Sequence, residues 1–231
     1  MRTIQEQYRL SIVVPVFDAA AELPRTLAAL PGMGRIAEVI VVDGGSRDAS
    51  VRIARRLRAR VVQAPRGRGS QLAAGARAAT GGWLLFLHAD CRLDPGWQDA
   101  VNRFVAAPGA AGRAGYFTLV LDDAAPVARR LERLVRWRCR ALALPYGDQG
   151  LLISRPLYDA IGGYAAIPLM EDVDLARRLG RARLRPIGAT ITASAKRYRR
   201  DGYGHRMLRN LICLALYFAG VAPRRIARLY G

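Results

Sequence analysis

Residues 10–18 read LSIVVPVFD, a continuous apolar run that ends in the polar Asp18. An uninterrupted run of this kind is typical of a strand that is buried on both faces, as in a parallel sheet. The pattern returns at residues 39–43 (VIVVD) and 83–90 (WLLFLHAD). Helical spacing separates these strands, so the sequence predicts βαβ units and an α/β fold with a mostly parallel central sheet flanked by helices.

The same reasoning assigns elements along the whole chain. Strands are predicted at 10–16, 39–42, 60–63, 83–87, 115–121 and 149–154, and helices at 21–30, 48–57, 70–79, 96–106, 126–142, 172–179, 207–218 and 223–230. No linker rich in Ser, Gly or Pro divides the 231 residues, and 52% of them are hydrophobic. We therefore expect a single domain over residues 1–231.

Three of the predicted strands are followed by an aspartate: Asp18, Asp43 and Asp90. One such residue means little, because Asp is common at helix caps and in turns. The carboxyl ends of parallel strands, however, lie at the same edge of a sheet, and ligands bind at that edge. Three aspartates there favour a binding site.

The segment 41–48 (VVDGGSRD) predicts a strand, a tight glycine turn and the start of a helix. A carboxylate at Asp43 can accept hydrogen bonds from a ribose hydroxyl or a base N–H. The chain has no G-x-G-x-x-G dinucleotide fingerprint after a strand and no G-x-x-x-x-G-K-[ST] motif. Hydride transfer and P-loop phosphoryl transfer are therefore disfavoured.

Asp90 and the pair Glu171-Asp172 are candidates for chemistry. A carboxylate at Asp90 suits a divalent cation that also binds a diphosphate, and such a cation stabilises a leaving diphosphate. His88 is either a second ligand or, as we favour, a packed and hydrogen-bonded residue. Adjacent carboxylates shift one another's pKa as a general base requires, although acids at a helix start also complement its dipole.

The order of these segments resembles the family 2 glycosyltransferases. Residues 11–18 are similar to the family's opening strand, and residues 41–48 to its Val-Asp-Asp-Gly-Ser-x-Asp segment. His88-Ala89-Asp90 stands where the family has its Asp-x-Asp metal motif, and Glu171-Asp172 matches its Glu-Asp pair. The resemblance is closer still to a small bacterial subgroup with Leu-His-Ala-Asp, Gly-Asp-Gln-Gly and Met-Glu-Asp-Val segments.

The resemblance implies a GT-A fold and an inverting transfer of one sugar from a nucleoside diphosphate sugar to a small hydroxylated acceptor. A UDP-sugar is the favoured donor, and Mn²⁺ or Mg²⁺ is the expected cofactor. Residues 10–122 would form the nucleotide-sugar half, and residues 123–231 the acceptor half with its C-terminal helices. The family's Gln-x-x-Arg-Trp signature of processive synthases is absent, which favours the addition of a single sugar.

The resemblance also implies a role for each matching residue. Nucleotide contacts fall to Pro15, Phe17, Asp18, Asp43, Gly44, Arg68, Gln71, Ala89 and Arg197, acceptor contacts to Asp148 and Gln149, and metal ligation to Asp90 and His88. Base catalysis falls to Asp172, with Glu171 orienting either the acceptor or Asp172. Two positions depart from the family pattern, since His88 replaces an Asp and Asp18 replaces an Asn. A non-catalytic nucleotide-sugar binder therefore stays as the alternative function.

The net charge of +19 comes almost entirely from arginine, since Lys196 is the only lysine. It could serve nucleic acid, anionic lipid or a phosphorylated substrate, but arginine as the ordinary surface residue is the favoured interpretation. No nucleic-acid-binding motif is present, so no nucleic-acid partner is expected. Residues 206–230 mix apolar and arginine positions, and packing or a homodimer contact is favoured there over peripheral contact with the inner face of a membrane.

Three cysteines without a CxxC pair are typical of a reducing compartment. The polar residues 1–9 lack the apolar stretch of a signal peptide. We therefore expect a cytoplasmic protein.

Overall fold

The computed structural model describes residues 9–30 and 36–230. The described strands form one eight-stranded sheet in the order β3-β2-β1-β4-β7-β6-β8-β5. Their bounds are β1 Leu10–Val16, β2 Ile36–Asp43, β3 Arg60–Gln63, β4 Trp83–Phe86, β5 Cys91–Leu93, β6 Ala114–Leu121, β7 Leu151–Ser154 and β8 Leu184–Ala193. Most of the polar N-terminal segment considered for a signal peptide lies outside the described residues.

The sheet is parallel on one side and mixed on the other. Strands β3, β2, β1 and β4 run parallel, as the apolar runs predict, and the central residues of β1 and β2 are fully buried. Strand β7 joins β4 in the antiparallel direction, and β6 pairs antiparallel with β7 and parallel with β8. Four of the seven pairings between described strands are parallel, so the predicted α/β class is confirmed.

Ten α-helices flank the sheet in the described part of the chain. Their bounds are α1 Leu23–Ala28, α2 Ser50–Arg56, α3 Arg68–Ala78, α4 Trp97–Ala106, α5 Pro126–Leu142, α6 Arg155–Ala160, α7 Glu171–Leu179, α8 Lys196–Asp201, α9 Tyr203–Phe218 and α10 Pro223–Tyr230. Helix α3 packs on β1 and β2, α4 on β8, and α5 on β6. Among the described residues, no helix combines the length and the apolar composition that crossing a bilayer requires.

Four elements were not predicted from the sequence: β5, β8, α6 and α8. Strand β8 contains Pro186 and Gly188, which disfavour a strand in a sequence pattern. The structure accommodates them in an irregularity, because Tyr116 of β6 lies opposite Pro186 while Thr118 lies opposite Thr190. The chain bulges there, and regular pairing resumes on both sides.

The predicted strand 149–154 is shorter than expected. Residues Gly147–Gln149 form a 3₁₀ turn, and the strand β7 begins only at Leu151. Gly150 between them has a φ of +61°, in the region that favours glycine. This turn brings residues 147 and 148 to the site described next.

Candidate active site

A pocket of about 380 Å³ lies beyond the end of β4. Its polar wall comes from separate elements: Arg68 from the start of α3, His88 and Asp90 from the loop after β4, Gly147 and Asp148 from the 3₁₀ turn, Glu171 and Asp172 from the start of α7, and Arg197 from α8. Seven predicted site residues are among these eight. Of the three strand-end aspartates on which a site was predicted, Asp90 lines this cavity.

His88 and Asp90 offer ligand atoms close to one another. The atoms of His88, Asp90 and Cys91 that could hold a metal ion all lie within 4.8 Å of one another. The His88 Nε2 atom is buried and has no hydrogen-bond partner among the described residues. Burial and the nearby Arg68 charge lower the pKa of His88 to about 4. Its imidazole is therefore neutral near pH 7 and keeps a lone pair.

The His88 ring packs tightly against the 3₁₀ turn. A Cβ atom at Gly147 would overlap the imidazole, so only glycine fits at this position. The packing that we favoured for His88 is present, and its Nε2 atom has no hydrogen-bond partner among the described residues. Whether His88 ligates a metal stays a prediction.

Asp148 and Cys91 complete this corner of the pocket. Burial raises the pKa of Asp148 to about 6, and its Oδ1 atom has no partner among the described residues. Burial and the Asp90 carboxylate raise the pKa of the Cys91 thiol well above its usual value. Cys91 Sγ lies 3.8 Å from Asp90 Oδ1 and 3.6 Å from the Asp148 carbonyl oxygen, so the single hydrogen of the protonated thiol can be donated to either.

Glu171 and Asp172 are adjacent in sequence but differ in environment. Asp172 accepts hydrogen bonds from the backbone N–H of Gly147 at 2.8 Å and of Val173 at 2.7 Å. Glu171 is only 1% exposed, and neither of its carboxylate oxygens has a partner among the described residues. Burial and the Asp172 charge raise the pKa of Glu171 to about 8. Near neutral pH Glu171 therefore keeps its proton.

Arg68 is the cation that faces these carboxylates. Burial lowers its pKa, but the surrounding acidic groups, Glu171 first and then Tyr230, Asp172 and Asp90, outweigh that effect and raise it above its ordinary value. The start of α3 lies very close to the 165–167 loop. Gly69 permits this approach, because a Cβ atom there would overlap the carbonyl oxygens of Ala165 and Ile167. Close contact between helix and loop thus fixes where Arg68 enters the pocket.

The other predicted nucleotide residues lie at the ends of β1 and β2, in α3 and in the loop after β4, and they do not line this pocket. Asp43 is 2% exposed, and its carboxylate accepts the backbone N–H groups of Gly45 and Ser46. The Asp18 carboxylate accepts the N–H of Arg47 at 2.7 Å. Both aspartates therefore shape the turn after β2.

Four further predicted residues lie in or just after β1, in the turn after β2, or in the loop after β4. The Phe17 ring lies 3.9 Å beneath the guanidinium of Arg66. Pro15 is buried in β1, opposite Val42, and the backbone N–H of Gly44 donates to the Val16 carbonyl oxygen. The Ala89 carbonyl oxygen accepts from the Thr26 hydroxyl. These residues lie at the sheet edge where a nucleotide is expected, and their nucleotide contacts stay predictions.

Two glutamines predicted to contact ligands are bound by the protein itself. The Gln71 amide donates to the Val16 and Val42 carbonyl oxygens at 2.8 Å each and holds the ends of β1 and β2 together. Gln149 is 2% exposed and donates to the Phe117 carbonyl oxygen. Its Oε1 atom accepts from Arg138, Cys139 and the Tyr146 backbone N–H. Both side chains position the walls of the site.

Sequence reasoning missed Arg138, which lines the pocket beside Tyr146. The Arg138 guanidinium stacks 3.4 Å from the centre of the Tyr146 ring and donates to Gln149 Oε1 at 3.0 Å. Arg138 is one of several arginines on α5, and nothing in its sequence neighbourhood distinguishes it from the others. The GDQG segment was the available signal, because it follows Tyr146 directly.

Comparison with known proteins gives a consistent picture. Residues 11–167 match the family described as Glycosyl transferase family 2. An uncharacterized glycosyltransferase of Mycobacterium tuberculosis is 38% identical over 88 residues, which are 38% of this chain and 39% of that protein. An undecaprenyl-phosphate 4-deoxy-4-formamido-L-arabinose transferase of Shewanella sediminis is 48% identical over 48 residues, which are 19% of this chain. The matched segments span 39% and 14% of the lengths of these two curated relatives.

Solved structures share the fold. Glucosyl-3-phosphoglycerate synthase from Mycobacterium tuberculosis, in complex with Mn²⁺, UDP and glucosyl-3-phosphoglycerate, superposes with a TM-score of 0.57 at 20% identity, over 84% of this chain and 75% of that chain. GalNAc-T7 with UDP, GalNAc and Mn²⁺ gives a TM-score of 0.63 at 13% identity, over 81% of this chain and 44% of that chain. The fold is therefore the GT-A fold, and the family match over residues 11–167 shows that the chain belongs to glycosyl transferase family 2.

Proposed function

We propose that this protein transfers one sugar from a nucleoside diphosphate sugar, with a UDP-sugar favoured, to a hydroxyl group of an acceptor, with inversion at the anomeric carbon and with a divalent metal. The observation that carries the proposal is the meeting of Asp90, Glu171 and Asp172 in one pocket with Arg68 and Arg197. This reaction needs carboxylates that hold a metal and act as a base, and it needs cations that bind a diphosphate.

The residues present fit Mn²⁺ or Mg²⁺. Asp90 supplies a carboxylate, and the partnerless His88 Nε2 and Asp148 Oδ1 atoms lie in the same corner of the pocket. Carboxylate oxygens suit both ions, and a neutral imidazole suits Mn²⁺ better than Mg²⁺. When bound, the ion would neutralise the charge that develops on the leaving diphosphate. The solved glucosyl-3-phosphoglycerate synthase complexes hold Mn²⁺ or Mg²⁺ with UDP.

Different proton affinities assign roles to the two adjacent acids. Glu171 keeps a proton near neutral pH, because its pKa is raised to about 8. Asp172, fixed by the Gly147 N–H, is the base that takes the proton from the acceptor hydroxyl. The acceptor oxygen then bonds to the anomeric carbon while the bond from that carbon to the diphosphate oxygen breaks. Arg68 and Arg197 face the departing diphosphate.

A thermal-shift panel of UDP, GDP, dTDP and CDP, each with and without Mn²⁺, tests the proposal. We expect one nucleotide, UDP first, to stabilise the protein in a metal-dependent way, and Asp90→Ala to abolish the metal dependence. The side chains of Gln71 and Gln149 are buried, so we do not expect them to bind the nucleotide. The metal-dependent thermal shift is therefore expected to depend on Asp90. No shift with any nucleotide at saturating concentration would refute nucleotide-sugar binding.

Asp172→Asn separates an enzyme from a non-catalytic binder. The substitution keeps the shape of the side chain and removes the base, so we expect nucleotide stabilisation to persist while sugar transfer, or slow hydrolysis of the UDP-sugar, falls by about 10²-fold or more. Turnover that is unchanged in Asp172→Asn would remove this residue from the mechanism. Binding without turnover in the unsubstituted protein would favour the binder. Cytoplasmic location, a homodimer and membership of the bacterial subgroup stay predictions.

A further inference from the structure

The candidate active site continues into an apolar wall that a small soluble acceptor does not need. Helices α5 and α9 contribute most of this wall to the same pocket that holds Asp90 and Asp172. Its members are Leu131, Leu134, Val135, Trp137 and Leu142 from α5 and Met207, Leu208, Leu211 and Leu214 from α9. We call this set the apolar wall.

The outer part of the apolar wall is open to solvent. Trp137 is 58% exposed, Leu208 56% and Leu211 62%. Leu134 and Leu142 are also exposed, while Leu131 and Val135 are buried deeper in the pocket. A contiguous set of large exposed apolar side chains next to a polar site is unusual for a surface that meets only water. It indicates an apolar occupant.

The surroundings of the wall are cationic. Arg130, Arg133 and Arg140 alternate with the wall residues along α5, are exposed, and form no ion pair within the described residues. Arginine and tryptophan side chains are suited to the boundary between water and lipid, because each joins an apolar part to a polar end. Their presence around the wall is complementary to an anionic lipid surface.

We propose that the acceptor is a lipid whose hydroxylated head lies at Asp172 and whose hydrocarbon chain lies along the apolar wall. This inference rests on the proposed function and names the substrate class of the same site. The acceptor is then not a small molecule, as the sequence predicts, but an amphiphile whose polar head is small. The bonds that form and break are those given above, and the acceptor proton passes to Asp172.

A second copy of the protein is the main alternative occupant. The wall lines a concave pocket that reaches Asp90 and Glu171, so a protein segment seated on it would block the route to the carboxylates. The chain of a lipid would extend outward from its reacting head without closing that route. Because the apolar wall and the carboxylates line one continuous pocket, a lipid suits this pocket better than a second copy of the protein does.

Trp137 reports directly on the wall, because the other two tryptophans, Trp83 and Trp97, are buried. The experiment titrates octyl β-D-glucoside, below its micelle concentration, against methyl β-D-glucoside and follows tryptophan emission. Both probes carry the same hydroxylated head and differ only in the chain. We expect a saturable blue shift with the octyl probe, at least about tenfold tighter than any response to the methyl probe. Trp137→Phe is expected to remove the shift.

Leu211→Glu and Leu57→Glu form the matched pair of variants. Both positions are exposed leucines, but Leu57 lies outside the pocket. We expect Leu211→Glu to lose the octyl response and Leu57→Glu to keep it. Equal responses to the two glucosides, retention of the octyl response in Leu211→Glu, or a blue shift that grows with protein concentration without any probe would overturn the proposal. The last result would identify a protein interface.

The nucleotide panel keeps this inference separate from the proposed function. The nucleotide panel and the octyl titration are both run on the unsubstituted protein, so nucleotide binding and chain binding are measured independently. Failure of every nucleotide to bind would refute the transferase, whereas a normal nucleotide response with no octyl response would refute only the lipid acceptor.

Discussion

At the scale of single residues, Glu171 is the least ordinary group in the protein. It is a carboxylic acid buried at the start of α7, with no partner for either oxygen among the described residues. The Asp172 charge beside it makes ionisation costly, and Arg68 only partly offsets that cost. A buried carboxylic acid that keeps its proton can donate a hydrogen bond, which is one use that active sites make of a raised pKa. The same arrangement has a consequence for stability.

The pKa of Glu171 rises from 4.5 to about 8 on folding, so between these values the unfolded chain releases a proton that the folded protein retains. Stability therefore falls as pH rises through this window and levels off above about pH 8. Glu171→Gln removes the titration. We expect the variant to gain, relative to the unsubstituted protein, on the order of 1–3 kcal/mol between pH 5 and pH 8, measured by urea unfolding at both values.

Glu22→Gln is the control, because Glu22 forms only an exposed surface pair with Lys196. Its effect on the free energy of unfolding is expected to stay within about 0.5 kcal/mol at both pH values. A Glu171→Gln variant whose stability follows the same pH dependence as the unsubstituted protein would show that Glu171 ionises normally in the folded state.

A candidate site residue could be predicted from the sequence where a side chain with suitable chemistry stands at the end of a predicted strand or the start of a predicted helix. Asp90, Glu171 and Asp172 were predicted as carboxylates at a strand end and a helix start, and the structure brings these three to one pocket. Gln71 and Gln149 were not identifiable as structural residues, since their partners are backbone carbonyls distant in sequence, such as Val16 and Phe117. A single sequence does not show which backbone groups, distant along the chain, form hydrogen bonds with a side-chain amide.

At the scale of elements, helix α3 shows how close packing positions the site. Gly75 lies against β1 and β2, and a Cβ atom there would overlap Val13 and come within 2.8 Å of Val42 Cγ2. This close approach brings α3 onto the sheet while its first residue, Arg68, reaches the pocket. The parallel half of the sheet was predicted well for a related reason: its strands are continuous apolar runs, whereas β8 carries Pro186 and Gly188 within its pairing.

Gly75→Ala tests that packing. The added methyl group has no room between α3 and the two strands, so we expect a loss of about 1–3 kcal/mol in the free energy of unfolding and a weaker nucleotide response. Gly204→Ala on α9 is the control, because nothing lies within 4 Å of a Cβ atom there and its φ is ordinary. That substitution is expected to be neutral or stabilising by up to about 1 kcal/mol. Equal effects at both positions would contradict the role of Gly75 in close packing.

At the scale of the whole molecule, the charge of +19 and the apolar wall both bear on binding to an anionic membrane. Arginines are dispersed along the chain, so net charge alone would draw the protein weakly to any polyanion. A lipid acceptor adds a directional requirement, since α5 and α9 must face the bilayer for the pocket to receive a chain. Binding to membranes is then expected to depend on where the arginines lie on the surface rather than on the total charge.

Two double variants with the same total charge separate position from amount. Arg133→Glu with Arg140→Glu changes α5 beside the wall, and Arg52→Glu with Arg55→Glu changes exposed arginines of α2, which do not line the pocket. We expect co-sedimentation with vesicles of phosphatidylcholine and phosphatidylglycerol to fall at least about fivefold for the α5 pair and far less for the α2 pair, because lipid attraction acts within about a Debye length of the surface. Equal losses would mean that only the net charge matters. No binding at low salt by the unsubstituted protein would end the case for membrane contact.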